Sequence, residues 1–256
     1  YEEAFLPWGW HAPIFEHARK RGLIPFSAAF DRESIDFLET LGVDRHKVAS
    51  FELVDLPLIR YMASKGRPMI LSTGMATLSE IGNAQIACWG VRTTTLICTS
   101  AYPAPPEAAN LRNGPPFLDW GVSDHSLGIG VAVAAAAFGA NYIEKHLTLA
   151  RADGGPDAAF SMEPAEFAQL VAECRRAAGV GGKGALGPKP GEAPELRRSL
   201  WVVRDTRRGE PLVLGENVRT ARPALGLPCD TPLAEHGRSA ARDLRAGEPL
   251  TWGCLS

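Results

Sequence analysis

Between residues 23 and 178, six short β-like runs alternate with helical patterns, and this alternation restricts the chain to a parallel sheet with crossover helices. The runs are 23–26, 47–50, 69–72, 94–99, 120–123 and 142–145, each followed by a polar or Gly/Pro-bearing loop. Residues 33–41 and 57–64 carry amphipathic helical spacing. Thr77-Leu78-Ser79-Glu80 has the form of a capping box, and Pro164 suits the first turn of a last helix. The sequence has no mononucleotide glycine fingerprint, which leaves an open doubly wound sheet or a (β/α)8 barrel two units short. The polar run ends decide for the barrel. Ser27, Ser50, Ser72-Thr73, Thr99-Ser100, Ser123-Asp124-His125 and Glu144-Lys145-His146 would converge on one face of a barrel, but would scatter along the edge of an open sheet. The expected fold is therefore α/β, a (β/α)8 TIM barrel lacking its first two βα units. The chain enters a helical pattern almost at once after Tyr1, as a piece of a longer chain would.

The periodicity breaks at a Gly/Pro-rich stretch, 180–194, which reads as a linker between a partial barrel domain at 1–179 and a small β-rich domain at 195–256. The small domain holds a partial internal repeat. Val202-Val203-Arg204-Asp205-Thr206-Arg207-Arg208-Gly209-Glu210-Pro211-Leu212 recurs as Ala240-Ala241-Arg242-Asp243-Leu244-Arg245-Ala246-Gly247-Glu248-Pro249-Leu250, and each copy reads as strand, basic turn, strand. At about 60 residues such a module buries little surface alone and is expected to pack on another domain or subunit. A chain of 256 residues that is 45% hydrophobic and 22% charged has room for one full core beside it.

With a net charge of -2 the chain has no general attraction for nucleic acid or anionic lipid, so a bound anion must be held by local chemistry. The apolar stretch 129–140 is too short to cross a bilayer, and the protein reads as cytoplasmic with a small-molecule partner. Its five cysteines lack CxxC spacing and imply neither a disulfide framework nor a zinc knuckle.

Three groups of residues carry chemistry. His125 and His146 end adjacent runs, and two imidazoles pointing into one mouth can bind a divalent ion while leaving positions open to water and substrate. Lys47, Ser50, Ser72-Thr73-Gly74 and Ser123 offer charge, hydroxyls and a glycine-bearing turn to a phosphate, helped by the helix that opens after Thr77. Tyr102, on a proline-stiffened loop, could offer a phenol to the site, and Asp157, in Gly154-Gly155-Pro156-Asp157, could position a carboxylate on a substrate hydroxyl. Taken singly, each serine is a helix cap and each histidine a packing residue, as His11, His17, His46 and His236 are read; joint placement is what points to a site.

With these residues in view, the sequence resembles the N-acetylneuraminate (sialic acid) synthase family over almost its whole length, and most closely its pseudaminic acid synthase branch. The motifs are Lys47-Val48-Ala49-Ser50-Phe51-Glu52, Leu71-Ser72-Thr73-Gly74-Met75-Ala76-Thr77, Thr99-Ser100-Ala101-Tyr102-Pro103-Ala104-Pro105, Ser123-Asp124-His125-Ser126-Leu127-Gly128, Ile143-Glu144-Lys145-His146 and Asp153-Gly154-Gly155-Pro156-Asp157-Ala158-Ala159-Phe160-Ser161. The resemblance implies a C–C bond-forming transferase with a C-terminal antifreeze-like (SAF) domain. It also implies a divalent metal (manganese, magnesium or cobalt) on His125 and His146, phosphoenolpyruvate on Lys47, Ser50, Ser72 and Ser123, and an N-acylated sugar aldehyde on Tyr102, Asp157 and Arg222. Arg222 would be offered to a partner's barrel in a domain-swapped homodimer. In the implied reaction the metal polarises the aldehyde, C3 of phosphoenolpyruvate attacks it, water adds at C2 and phosphate leaves. Within the family, Ala158 after Asp157 favours the pseudaminate branch, whose sugar is 2,4-diacetamido-2,4,6-trideoxy-L-altrose, over the N-acetylneuraminate and legionaminate branches, which tend to carry histidine there. A metal-dependent aldolase or a non-catalytic sugar-binding remnant are the readings of other kinds; retention of Lys47, Ser72, His125 and His146 argues against the remnant. Departures from the family pattern lie at Ser27-Ala28-Ala29-Phe30, where a proline usually precedes the phenylalanine, and at Ala150 and Ala224.

Overall fold

A computed structural model of the chain describes residues 6–111, 119–180 and 189–256. The chain divides into two compact units, Tyr1–Lys183 and Gly184–Ser256. Most of the expected linker, residues 181–188, lies outside the described residues.

In the first unit β1 (His46–Val48), β2 (Met69–Ser72), β3 (Thr93–Cys98), β4 (Trp120–Asp124) and β5 (Tyr142–Lys145) form one parallel sheet of five strands in strictly sequential order. An open doubly wound sheet reverses its order at a switch point, whereas a barrel wall needs an unbroken succession of parallel neighbours. The wall curls so that side chains from its first and last strands meet across its inner side, although no ladder pairs those two strands among the described residues. Arg45, just before β1, donates a hydrogen bond to the Tyr142 phenol at the start of β5. Two residues further along each strand, Lys47 Nζ lies 3.7 Å from a Glu144 carboxylate oxygen. Gly121 on β4 supplies space inside this curl: a Cβ there would meet the Tyr142 backbone and stand 2.8 Å from Leu96 Cδ2.

The helices follow the strands as the alternation predicts. Helix α1 (Trp8–Lys20) leads the unit. Helices α2 (Arg32–Thr40) and α3 (Leu56–Ala63) each start one residue before their apolar spacing suggests, because Asp31 and Asp55 accept the opening N–H groups of Ser34 and Leu58 at 2.7 and 3.0 Å. Helix α4 (Leu78–Ala87) opens with the Thr77/Glu80 capping box. The apolar stretch becomes α5 (Gly130–Ala137), and α6 (Pro164–Ala178) begins at its proline. Ile35, Leu38, Ile59 and Met62 of α2 and α3 bury against Val48, Met69 and Leu71 of the sheet, while Val131 and Ala135 of α5 pack on Val122.

The run 23–26 is not a strand. Only Ala28 pairs with the sheet, through an isolated parallel bridge to Lys47. Pro25 has no N–H to donate, and Leu23 and Ile24 are 64% and 53% exposed, so neither a ladder nor burial holds this segment extended.

Among its described residues the second unit contains one two-stranded antiparallel ladder, β6 (Ser199–Val202) with β7 (Val218–Ala221). The repeat explains most of the rest, although its copies pair through isolated bridges and not through full strands. Thr206 and Leu244 exchange backbone hydrogen bonds of 2.9 and 2.8 Å. Asp243 accepts the Arg208 N–H and Asp205 accepts the Ala246 N–H, both at 2.8 Å. Within the copies, Arg204 pairs with Glu210 and Arg242 with Glu248. Each copy thus caps the other's turn, around a core that includes Leu200, Val202, Leu212, Val218, Leu244 and Leu250. Among the described residues no helix is long and apolar enough to cross a membrane.

His46, at the start of β1, couples this fold to pH. Its Nε2 lies 3.0 Å from Glu39, and its Nδ1 is buried without a hydrogen-bond partner among the described residues. Burial pushes its pKa below the ordinary value, and Glu39 only partly opposes this. The unfolded chain therefore takes up a proton near pH 6.5 that the folded chain refuses, so this contribution is complete above that pH and is lost as the pH falls below it. The melting temperature should drop between pH 7 and pH 5.5, with a shallower drop in His46→Gln; identical slopes in the two proteins would refute the assignment.

Candidate active site

The inward positions of the curled wall stack in layers because side chains alternate along each strand. Register places Cys98 beside Ser123 and Ser123 beside Glu144. The curl adds Lys47 from β1, and Ser72 ends β2. Lys47 is buried; its ammonium donates to Ser72 Oγ at 2.8 Å and to the Val48 carbonyl at 3.2 Å. Ser123 Oγ donates to Glu144 at 2.7 Å. These four residues form a polar cluster in which Glu144 is the internal counter-charge to Lys47.

Beside the cluster lies the turn after β2. The Gly74 N–H donates to Ser50 Oγ at 3.1 Å, and Ser50 in turn donates to Cys98 Sγ at 3.4 Å. A Cβ on Gly74 would stand 2.8 Å from Ser50 Oγ and would collide with Ser100 Oγ. The bare Cα is what lets the hydroxyls of Ser50 and Ser100 and the turn's backbone come together. Ser50 thus lies at the expected place, but it is also an acceptor inside the protein.

Above the cluster, the imidazoles of His125 and His146 lie 5.3 Å apart between ring centres. Tyr102 covers His125 at 4.3 Å, and Phe160 lies 5.0 Å from His146 and 5.5 Å from Tyr102, which makes an aromatic wall. His125 Nδ1 is 2.9 Å from the Thr99 carbonyl, and its Nε2 lies 3.5 Å from Ser123 Oγ. Asp157 lies 3.6 Å from His146 Nδ1. The two rings are tuned apart. Burial opposes charge on His125, but the Cys98 thiol, the Thr99 carbonyl and Glu144 outweigh it and hold its pKa above the ordinary value. Burial pushes His146 down, and Asp157 offsets this only in part. Burial also works against a Cys98 thiolate, yet His125, Ser50 and Ser100 hold that thiol below its ordinary value.

Two oriented imidazoles suit a divalent ion that keeps part of its shell for water and substrate. Among the described residues no three His, Cys, Asp or Glu side chains gather as ligands.

Lys47, Ser50, Ser72, Ser123, His125, His146, Tyr102 and Asp157 are thereby brought together by the first unit. Arg222 is not among them: it follows β7 in the second unit, where the Pro223 carbonyl accepts from Ser199 Oγ and Trp201 Nε1 at 2.9 and 3.0 Å. Sequence reasoning assigned no role to Glu144, Cys98, Ser100 or Phe160. Glu144 carried a usable signal, a carboxylate two residues before His146 and so on the same face of the strand. It also passed over Glu52, whose carboxyl is pushed up by burial and has one buried oxygen without a partner among the described residues. Glu52 lines a cavity of about 650 Å³ with Trp8, His11, Ser27, Phe30 and Phe37.

The model of the NeuB family matches residues 1–185, and that of the SAF domain matches 197–256. The chain belongs to the NeuB family. Among its relatives, the pseudaminic acid synthase of Helicobacter pylori is 37% identical over 98% of this chain and 77% of the relative. The N,N'-diacetyllegionaminic acid synthase of Campylobacter jejuni is 38% identical over 85% of this chain and 69% of the relative. The crystal structure of N-acetylneuraminic acid synthetase from Leptospira borgpetersenii, in complex with citrate, matches with a TM-score of 0.67 and 33% identity over 72% of this chain and 67% of that one. The NeuB assignment accounts for the sequential parallel wall, and the SAF domain for the pseudo-symmetric second unit.

Gly74→Ala should weaken binding of phosphoenolpyruvate at least tenfold, about 1.4 kcal/mol, by driving Ser50 and Ser100 apart, with little change in melting temperature. Isothermal titration on the two proteins checks this, and equal affinities would remove the turn from the site.

Proposed function

We propose that the protein is a pseudaminic acid synthase, joining phosphoenolpyruvate to 2,4-diacetamido-2,4,6-trideoxy-L-altrose to give a nine-carbon 2-keto sugar acid and phosphate. The observation that carries this reading is a buried lysine with two hydroxyls directly below an oriented imidazole pair, in a chain similar to such synthases over nearly its whole length. Lys47, Ser50, Ser72 and Ser123 hold the phosphate and carboxylate of phosphoenolpyruvate, as charge-assisted donors do. His125 and His146 would hold a divalent ion, manganese, magnesium or cobalt, which would supply Lewis-acid polarisation of the sugar's carbonyl. Tyr102 and Phe160 give the sugar an apolar wall, Asp157 accepts from one of its hydroxyls, and the unpartnered oxygen of Glu52 suits an amide N–H or a hydroxyl. Arg222, on the SAF domain, serves the sugar in a domain-swapped homodimer, and the reaction runs in the cytoplasm.

The N,N'-diacetyllegionaminic acid synthases are the second reading, favoured by an identity as high over a shorter part of the chain. Phosphate release from phosphoenolpyruvate with manganese decides between them. The altrose derivative should be turned over faster than N-acetylmannosamine and the legionaminate precursor, and a preference for either of the latter would replace the assignment. His125→Ala should lower turnover by about a thousandfold, ~4 kcal/mol of transition-state stabilisation, with the melting temperature retained. Full activity in that variant would remove His125 from the chemistry.

A further inference from the structure

Asp124 and Lys145 stand between the functional residues of Ser123-Asp124-His125 and Glu144-Lys145-His146, directly opposite each other in the β4/β5 ladder. Alternation turns them away from the mouth, so neither can touch substrate there. They form an ion pair of 2.8 Å with both side chains 2% exposed. Such a pair is a poor source of stability, since desolvating two charges offsets their attraction, and its best attested use is to fix one geometry among several.

The remaining bonds show which geometry. Asp124 Oδ1 accepts from the backbone N–H of Ser126 at 2.9 Å and from its hydroxyl at 2.6 Å. Lys145 Nζ also donates to the Ser126 carbonyl at 2.5 Å. The residue after His125 is therefore held from both sides by charged groups, one of which belongs to the strand that carries His146. The Tyr102 loop joins the same point: Ala104 N–H donates to the His125 carbonyl at 3.0 Å, and Ala104 bridges to Ser126.

We propose that Asp124 and Lys145 are positioning residues that set the relative placement of His125, His146 and Tyr102 from behind the sheet, and thereby the affinity of the imidazole pair for a divalent ion. The inference rests on the reading of that pair as a metal site, and its test separates the two. Single variants leave one buried charge unpaired and risk unfolding, so the decisive protein is Asp124→Asn/Lys145→Met. It is neutral at both positions and keeps an acceptor for Ser126. Two measurements are made on protein of verified fold: manganese affinity by electron paramagnetic resonance, with His125→Ala as the reference for a lost ligand, and the His125 tautomer by long-range nitrogen-proton correlation in metal-free protein. The double variant should bind manganese at least tenfold more weakly than wild type and should lose the single tautomer that the Thr99 carbonyl selects. Wild-type affinity with an unchanged tautomer overturns the proposal. If manganese binds neither wild type nor variant while the tautomer is still lost, the positioning role stands and the metal reading falls.

Discussion

The curl of the open sheet from β1 round to β5 is the constraint on which the rest of the first unit depends. Lys47 and Glu144 are separated by 97 residues and by three intervening strands, and only a curled wall brings their charges to 3.7 Å. Below them the Arg45 to Tyr142 hydrogen bond ties the same two strands, and the bare Cα of Gly121 leaves the interior volume that the curl needs. Once the wall is curled, alternation does the remainder. Every second residue of each strand faces one axis, so Ser72, Cys98, Ser123, Glu144 and the two histidines share a mouth without any loop having to deliver them.

This is why so much of the fold was legible in the sequence. The polar residues at run ends are a periodic signal, and the periodicity of a parallel strand is set locally by the backbone. The capping residues Asp31, Asp55 and Thr77 were legible for the same reason, since a cap needs only its own helix. What was not legible depends on partners distant in sequence. The run 23–26 has strand composition but lacks the pairing and the N–H donor that would make it a strand. Phe160 joins the aromatic wall only because the turn after Asp157 folds back over His146. Glu52 shows nothing in the sequence beyond a carboxylate after a phenylalanine; its orphaned oxygen exists only once the cavity wall surrounds it.

The second unit reaches a defined shape by other means. It has one short ladder and a small core, so reciprocal bonds carry the architecture: the aspartate of each copy holds the other copy's turn, and an arginine and a glutamate brace each copy internally. The repeat was visible because the same residues must do the same work twice. The exchange of partners between copies was not, since a linear pattern does not show whether a carboxylate caps its own turn or its neighbour's.

Two ion pairs join the neighbourhood of β5 to the rest of the wall, and their contrast separates substrate chemistry from scaffold. Lys47 and Glu144 are 3.7 Å apart, with the lysine buried but the carboxylate 40% exposed, a looser and partly solvated pair. Asp124 and Lys145 are at 2.8 Å and sealed, and removing one partner would leave a buried charge at a cost of about 3–5 kcal/mol. The same two residues of chain, Glu144 and Lys145, thus face opposite sides of one strand with opposite duties. Glu144 makes the looser, part-exposed contact inside the curl, and Lys145 the tight, sealed one behind it.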